Sequence, residues 1–324
     1  MTTQPKRKMP TRRRLLTGAG TLAALSGVGL SPFALSSCSM TERESAGADA
    51  VTVGLTYIPN VQFCAFYLAV QKGLFGDLKV TLRHHGEQEG LFEALRLGRE
   101  DVVFASADEA LVAGGLSTIA TSYQRYPAEV MIAQKGVRLE DLRGKTLGVP
   151  GRFGSSYFAA LLALHTAGLT EQDVTLTEIG YTAVAALTTG KVDAIIGFTN
   201  NELVQLRGEG LEVTSLPVAP EQTLVGPSLV VLPERAKDPA LAVIVDGMLE
   251  AEKQVVADLD AALEATAQQV PALADPVQRE NAAKVLEATI ALWHDPAGQL
   301  SVSVDAEAMT RMESFLRGAG VLTA

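Results

Sequence analysis

Side chains able to make or break bonds are sparse in this sequence and poorly arranged for it. The four histidines are His84, His85, His165 and His294. Adjacent residues on a strand point to opposite faces, so His84 and His85 cannot hold one ion together. Even with Glu87 and Glu89 close by, the pair reads as a solvated strand end, and no metal is expected. Cys64 lies in an apolar run without a basic neighbour, the setting of a small buried hydrophobe rather than a reactive thiol. Gly144-Lys145-Thr146 imitates the end of a phosphate-binding loop. Leu139, however, occupies the place of the required first glycine, and the motif precedes its strand instead of following it. A Gly-x-Ser-x-Gly nucleophile elbow is absent. With no nucleophile and base assembled, the expectation is a protein that binds rather than converts: not an enzyme, with no catalytic residue and no cofactor.

What the sequence offers instead is a set of aromatic and hydrogen-bonding side chains in three loops. The first, 56–67, contains Pro59-Asn60, which forces a turn and lets Asn60 cap the helix that follows. Tyr57, Gln62, Phe63 and Tyr67 exceed what a turn needs; they offer flat apolar faces with a few polar groups, which suits an uncharged aromatic heterocycle. The second, 148–157, is glycine-rich and runs into a helix. There Phe153, Gly154, Ser155 and Ser156, with the free amides of the first turn, make a donor-rich site for an anion or a carbonyl oxygen, a plain helix cap being the simpler reading. In the third, 197–202, Asn200 and Asn201 precede Glu202, which the helix dipole alone would favour at a first turn. Ser106, closing the run 101–106, completes the ligand-binding set together with Tyr181.

These loops recur because of the elements before them. Short β-rich runs alternate with amphipathic ones: 51–55 (VTVGL) and 63–73, 78–83 (LKVTLR) and 90–98, 101–106 (DVVFAS) and 108–115. The cycle restarts with 145–150 (KTLGVP) and a helix over 155–167, 174–180 (VTLTEIG) and a helix over 182–189, then 192–198 (VDAIIGF) and a helix over 200–207. Strand–helix alternation implies parallel sheets in an α/β fold. Two units of the same grammar imply two lobes, with a cleft outside the carboxyl ends of their strands. After 211–218 and 224–232 the pattern turns helical, with about four amphipathic stretches between Pro239 and Gly318 and Trp293 as core packing. A length of 324 residues accommodates two domains. A net charge of −10 argues against a nucleic-acid partner, and two cysteines give no disulfide framework.

The amino terminus reads as an address. All six basic residues before Cys38 come without an acid, and Thr11-Arg12-Arg13-Arg14-Leu15-Leu16 matches a twin-arginine export signal. The glycines and Pro32 in the stretch 15–35 make it a poor membrane span. It ends in Leu35-Ser36-Ser37-Cys38, which looks like a bacterial lipobox with Cys38 as the lipidated residue. The mature chain is then exported and anchored to the outer face of the cell membrane. Residues 39–50 are small, polar and charged, the composition of a flexible tether.

At the loop residues a family resemblance becomes specific. The order Pro59-Asn60, then Tyr67, Ala69, Gly73 and Phe75, then Gly98 and Asp101, DLRGKTLGVPG at 141–151 and GKVDA at 190–194 resembles the substrate-binding subunits of ABC importers. The branch is the one shared by sulfonate-, nitrate- and thiamine-pyrimidine-precursor-binding proteins, and the likeness covers most of 51–235. It implies a two-lobe periplasmic-binding-protein type 2 fold with a helical C-terminal part. By that resemblance 1–37 is a twin-arginine lipoprotein signal, 38–50 a tether, 51–138 with 223–324 the first lobe, and 139–222 the second. It also implies a hinge, closure over a small-molecule ligand, and docking to an ABC permease and its ATPase, by a monomer tethered to the membrane.

The frame LDWxPNxxHxGxYxA of pyrimidine-precursor binders is changed here. Thr56 replaces the acid, Tyr57 the tryptophan and Phe63 the histidine, and Thr199 replaces the tryptophan of WNxE. YIPNVQF, IGYT at 179–182 and NNE at 200–202 look more like riboflavin-binding members, which makes riboflavin the leading ligand. A pyrimidine precursor and a sulfonate- or nitrate-type anion are the alternatives. An anion needs cations in the cleft, and only Arg152 and Arg125 qualify. A pyrimidine-synthesising enzyme of related fold is the alternative of another class; the chain lacks its cysteine-rich segment and its histidine at position 63. A binding protein that feeds a sensor is a third.

Overall fold

The computed structural model describes residues 50–56, 58–85 and 90–322. The export signal, Cys38, the tether up to residue 49, Tyr57, Glu87 and Glu89 lie outside them. The order of elements follows the alternation. β1 (Ala50–Thr56) leads through a 3-10 turn into α1 (Cys64–Lys72), followed by β2 (Lys79–His85), α2 (Leu91–Arg96), β3 (Val102–Ser106), α3 (Ala107–Ala113) and β4 (Ser117–Thr121). Next come β5 (Ala128–Ile132), β6 (Thr146–Val149), α4 (Gly154–Thr166), β7 (Thr175–Glu178), α5 (Ala183–Thr188), β8 (Ala194–Phe198), α6 (Glu202–Gly208), β9 (Thr214–Pro217) and β10 (Pro227–Val231). Four helices close the chain: α7 (Pro239–Ala257), α8 (Leu259–Ala267), α9 (Pro276–Trp293) and α10 (Ala306–Gly318).

The last four helices show how local chemistry sets their starts. Asp238, Asp275 and Asp305 accept from first-turn amides of α7, α9 and α10, and Pro239 and Pro276 stand at the first helical position, where no N–H is missed. Asp258 ends α7 in an extended conformation and caps α8 through Ala261 N–H, so one residue turns the chain between two helices.

Two five-stranded sheets result, ordered β2-β1-β3-β10-β4 and β7-β6-β8-β5-β9. The parallel pairing expected from the alternation holds for β1 with β2 and β3 and for β6 with β7 and β8. β10 runs antiparallel between β3 and β4, and β5 runs antiparallel between β8 and β9. The sequence boundary at 138 is also displaced. β5 already pairs with β8, and α10 sends Ala308, Met312 and Leu316 into the core of the second sheet rather than the first. The core of the first sheet is closed by α1, α7, α8 and α9 around Phe66, Met248, Leu286 and Trp293.

From strand to strand the chain passes between the sheets twice, through 122–127 and through 218–226, and a third passage, 294–305, carries it from α9 in the first core to α10 in the second. Thr121, at the end of β4, pairs with Ser228, and Pro227 pairs with Ser106 at the end of β3. Ala128, at the start of β5, pairs with Phe198 at the end of β8. The registers therefore bring the carboxyl ends of β3 and of β8 to the two crossings, which is where the candidate loops lie. Among the described residues no helix is long and apolar enough to cross a membrane.

Candidate functional site

The loop after β1 folds as a capped turn. Asn60 is extended (φ −153°, ψ 159°) and its Oδ1 accepts Gln62 N–H at 3.1 Å. This fixes the direction of α1 and buries Phe63 and Tyr67 while Gln62 stays half-buried. Phe63 meets Phe104 and His84 edge-on, with ring centroids 6.2 and 5.3 Å apart. The Tyr67 hydroxyl lies 2.9 Å from His84 Nε2, and burial pushes its pKa up. Phe63 and Tyr67 are thus packed in the core of the first sheet. His84 belongs with them, and His85 is buried 2.8 Å from Glu100, so the expected solvated strand end is instead a packed one. The cause is the length of β2, which continues to His85 and carries both rings under cover.

The loop after β6 meets the first lobe directly. Ser155 N–H donates to Glu109 Oε1 at 3.0 Å, and Ser155 Oγ–H donates to Asp108 Oδ1 at 2.7 Å. Tyr126, in the crossing 122–127, donates its hydroxyl to Asp108 Oδ2 at 2.8 Å. Burial lifts the Asp108 carboxyl to about 7, helped by the charge of Glu109 and opposed by hydrogen bonds from Ser155, Tyr126 and Ser106. Ser106, at the N-cap of α3, and the buried Ser156 flank this cluster in sequence. Phe153 is 63% exposed, and Arg152 turns away to pair with Glu171 on the surface. Arg152 is therefore engaged elsewhere than in the cleft.

The loop after β8 uses its polar groups in two ways. Glu202 accepts Phe198 N–H at 2.8 Å and Asn201 Nδ2–H at 2.9 Å, closing its own loop; burial raises its pKa against those bonds. Gly197 makes room for it, since a Cβ there would stand 2.7 Å from Met131 Sδ and 3.0 Å from Glu202 Cβ. Asn200 is 1% exposed and crosses to other elements: its Nδ2 donates to Tyr123 hydroxyl at 3.2 Å and to Thr289 Oγ1 at 3.0 Å. Tyr181 is 73% exposed.

Sequence reasoning missed Asp108, Glu109, Tyr123, Tyr126, Glu252 and Thr289. Asp108 and Glu109 follow a strand and open a helix, the same signal that selected the other loops. The two tyrosines sit on a crossing that only β4 and β5 define. Glu252 on α7 receives the hydrogen of Ser122 Oγ at 2.5 Å, and burial lifts its carboxyl to about 8. Among the described residues, Glu252 Oε2, Asn200 Oδ1 and Trp293 Nε1 are buried polar atoms without a hydrogen-bond partner. Burial also pushes the Cys64 thiol up, as a structural cysteine requires. A separate concavity of about 550 Å³ is lined by Ile132, Gln134, Lys145 and Asp193, at the opposite ends of β5, β6 and β8, and no candidate residue borders it.

The arrangement can bind a small molecule, and the hydroxyls of Ser155 and Ser122 are tied to the buried carboxyls of Asp108 and Glu252. Some of its polar groups reach from one sheet to the other, its rings stand on the first loop, and Arg125, the other cation expected in the cleft, is exposed on the crossing 122–127.

Comparison with known proteins agrees with this architecture. The NMT1/THI5-like family matches residues 60–262. A riboflavin-binding protein, RibY, of Chloroflexus aurantiacus is 36% identical over 292 residues, which are 85% of this chain and 82% of that protein. A 4-amino-5-hydroxymethyl-2-methylpyrimidine phosphate synthase of Aspergillus parasiticus is 26% identical over 167 residues, 49% of this chain and 48% of that one. Among solved structures, the periplasmic aliphatic sulphonate binding protein SsuA of Escherichia coli superposes with a TM-score of 0.65 at 18% identity, covering 83% of this chain and 86% of that one. The fold is that of the periplasmic binding proteins.

Proposed function

The chain belongs to the NMT1/THI5-like family, and from that premise we propose that it is the extracytoplasmic solute-binding subunit of an ABC importer with riboflavin as its ligand. The observation that carries the ligand is the 36% identity, over most of both chains, to a protein named for riboflavin binding. The site supports it in physical terms. Phe63 and Tyr67 supply apolar ring surface. Asn200 Oδ1, an acceptor, and Glu252 Oε2, the free oxygen of a carboxyl that burial keeps protonated, are buried without partners, and an uncharged heterocycle with N–H and C=O groups can satisfy such atoms.

In this reading the ligand is held between two lobes, built on the two sheets, that close about the crossings 122–127 and 218–226. The loaded protein then docks to a permease with its ATPase and performs no chemistry itself. Export through the twin-arginine signal and a lipid on Cys38 hold the monomer at the outer face of the membrane. Gln62, Ser156, Asn201 and Glu202 complete the contacts, with Phe153 and Tyr181 covering the ligand on closure.

A second reading, a pyrimidine precursor, has the fungal synthase in its favour. A thermal-shift screen against riboflavin, an aminopyrimidine and taurine separates the readings. A ligand at 100 times its Kd adds about 2.7 kcal/mol to the folded state, a rise of roughly 5 °C for a chain of this size. A rise with riboflavin alone supports the proposal; a rise with the aminopyrimidine alone replaces it.

A further inference from the structure

The N-terminus of a long helix carries free N–H donors and the positive end of its dipole, so anions gather there. In this chain the first turn of α4 already holds one. Glu109, carried by α3 beside the first sheet, accepts Ser155 N–H at 3.0 Å and lies 3.3 Å from Ser155 Oγ. Gly154 has a φ of +70°, and a Cβ at that position would stand 2.8 Å from Glu109 Oε1, so the carboxylate approaches the backbone there because the residue is glycine. Asp108 stands behind it, taking the hydrogens of Ser155 Oγ and Tyr126. The one cation of this loop, Arg152, is spent on Glu171 at 48% side-chain exposure.

We propose that Glu109 sets the charge selectivity of the cleft: its carboxylate holds the place at α4 that an anionic ligand group would take, so the site refuses sulfonates and admits uncharged ligands. The inference rests on the reading of the sheets' carboxyl ends as a ligand cleft. An incoming sulfonate must displace Glu109 from the Ser155 donors and then stand beside an unpaired carboxylate, a repulsion that a partly buried site screens poorly. An uncharged ring meets no such barrier. The same folding scaffold would therefore be turned from anions to neutral ligands by one residue of the opposite lobe.

The test is calorimetric titration of the full chain and of Glu109→Ala with methanesulfonate, and in parallel with riboflavin. It is run at pH 6, where wild-type Asp108, lifted by burial and by the charge of Glu109 to about 7, is mostly protonated, and it is repeated in an Asp108→Asn background, in which no second carboxyl can repel the probe once Glu109 is removed. The wild type is expected to show no saturable methanesulfonate binding. Glu109→Ala is expected to gain it, by roughly tenfold or more in association constant, the size of a charge at a partly buried helix terminus. A folded Glu109→Ala that binds methanesulfonate no better than the wild type overturns the proposal. If that variant does not fold, Glu109→Gln, which keeps an acceptor for Ser155, is measured in its place with the same two outcomes. Wild-type binding of riboflavin with no anion gain in the variant refutes the role of Glu109 alone, whereas failure of the wild type to bind riboflavin refutes the ligand reading.

Discussion

Replacing Glu252 by glutamine should flatten the dependence of stability on pH. The residue is 1% exposed, one carboxyl oxygen takes the hydrogen of Ser122 and the other has no partner, so burial lifts the folded-state pKa to about 8 from an ordinary 4.5. A raised acid is favoured by the folded state only while it is protonated. Below about pH 4.5 both states hold the proton and Glu252 costs nothing; between 4.5 and 8 the unfolded chain releases it and the folded one does not, so stability falls as pH rises. At about 1.4 kcal/mol per pH unit the loss reaches roughly 3 kcal/mol at pH 7 and about 5 kcal/mol above pH 8. Glutamine keeps the shape and an acceptor for Ser122 but cannot ionise. Urea unfolding of both proteins at each unit from pH 5 to pH 9 gives the difference directly. Variant minus wild type should be under about 1 kcal/mol at pH 5 and grow to several kcal/mol at pH 9. Asp108, raised to about 7, lowers both curves in the same direction and cancels in the difference. Parallel curves across the range would refute the reasoning, because Glu252 would then titrate as an exposed carboxyl.

Asn60→Ala removes the cap on Gln62 N–H and should cost about 1 kcal/mol in urea unfolding while weakening riboflavin binding; unchanged binding would remove Asn60 from the site. Asn200→Ala deprives Tyr123 and Thr289 of a shared donor in a buried setting and should cost about 1–3 kcal/mol, measured in the same way, with a loss of affinity beyond that of Asn60→Ala. Arg152→Ala, which removes a surface pair with Glu171, should change stability by less than about 1 kcal/mol and leave riboflavin binding intact by titration. Cys38→Ser should move the protein from the membrane to the soluble fraction in cell fractionation; continued retention would show that another segment holds it.

The fold was legible where each segment carries its own signal. The strand–helix alternation from 51 to 115 and from 145 to 207, and the Asp-Pro starts of α7 and α9, are local patterns, and the elements form where those patterns lie. β4 and β5 were not legible. STIAT and AEVMI are short and flanked by loops, and their places, β4 at the sheet edge beside β10 and β5 between β8 and β9, are decided by partners more than 60 residues away. Missing them hid the first crossing and with it Tyr123 and Tyr126. α10 was assigned to the wrong sheet for a similar reason: an amphipathic helix announces an apolar face but not which core receives it. The rule that chemistry follows strands selected Asn60, Ser155 and Asn200 as candidates. What each side chain bonds to came only from the tertiary structure. Ser155 turned out to face two carboxylates, Asn200 a tyrosine and a threonine, and Glu202 its own loop.

The central claim is that this chain captures riboflavin, and equilibrium titration of the purified protein with riboflavin, read by quenching of flavin fluorescence, tests it most directly. Saturable binding is expected at one site per chain, weakened by Asn200→Ala and insensitive to Arg152→Ala. Absence of saturation with riboflavin, alongside saturable binding of an aminopyrimidine or a sulfonate, would contradict it.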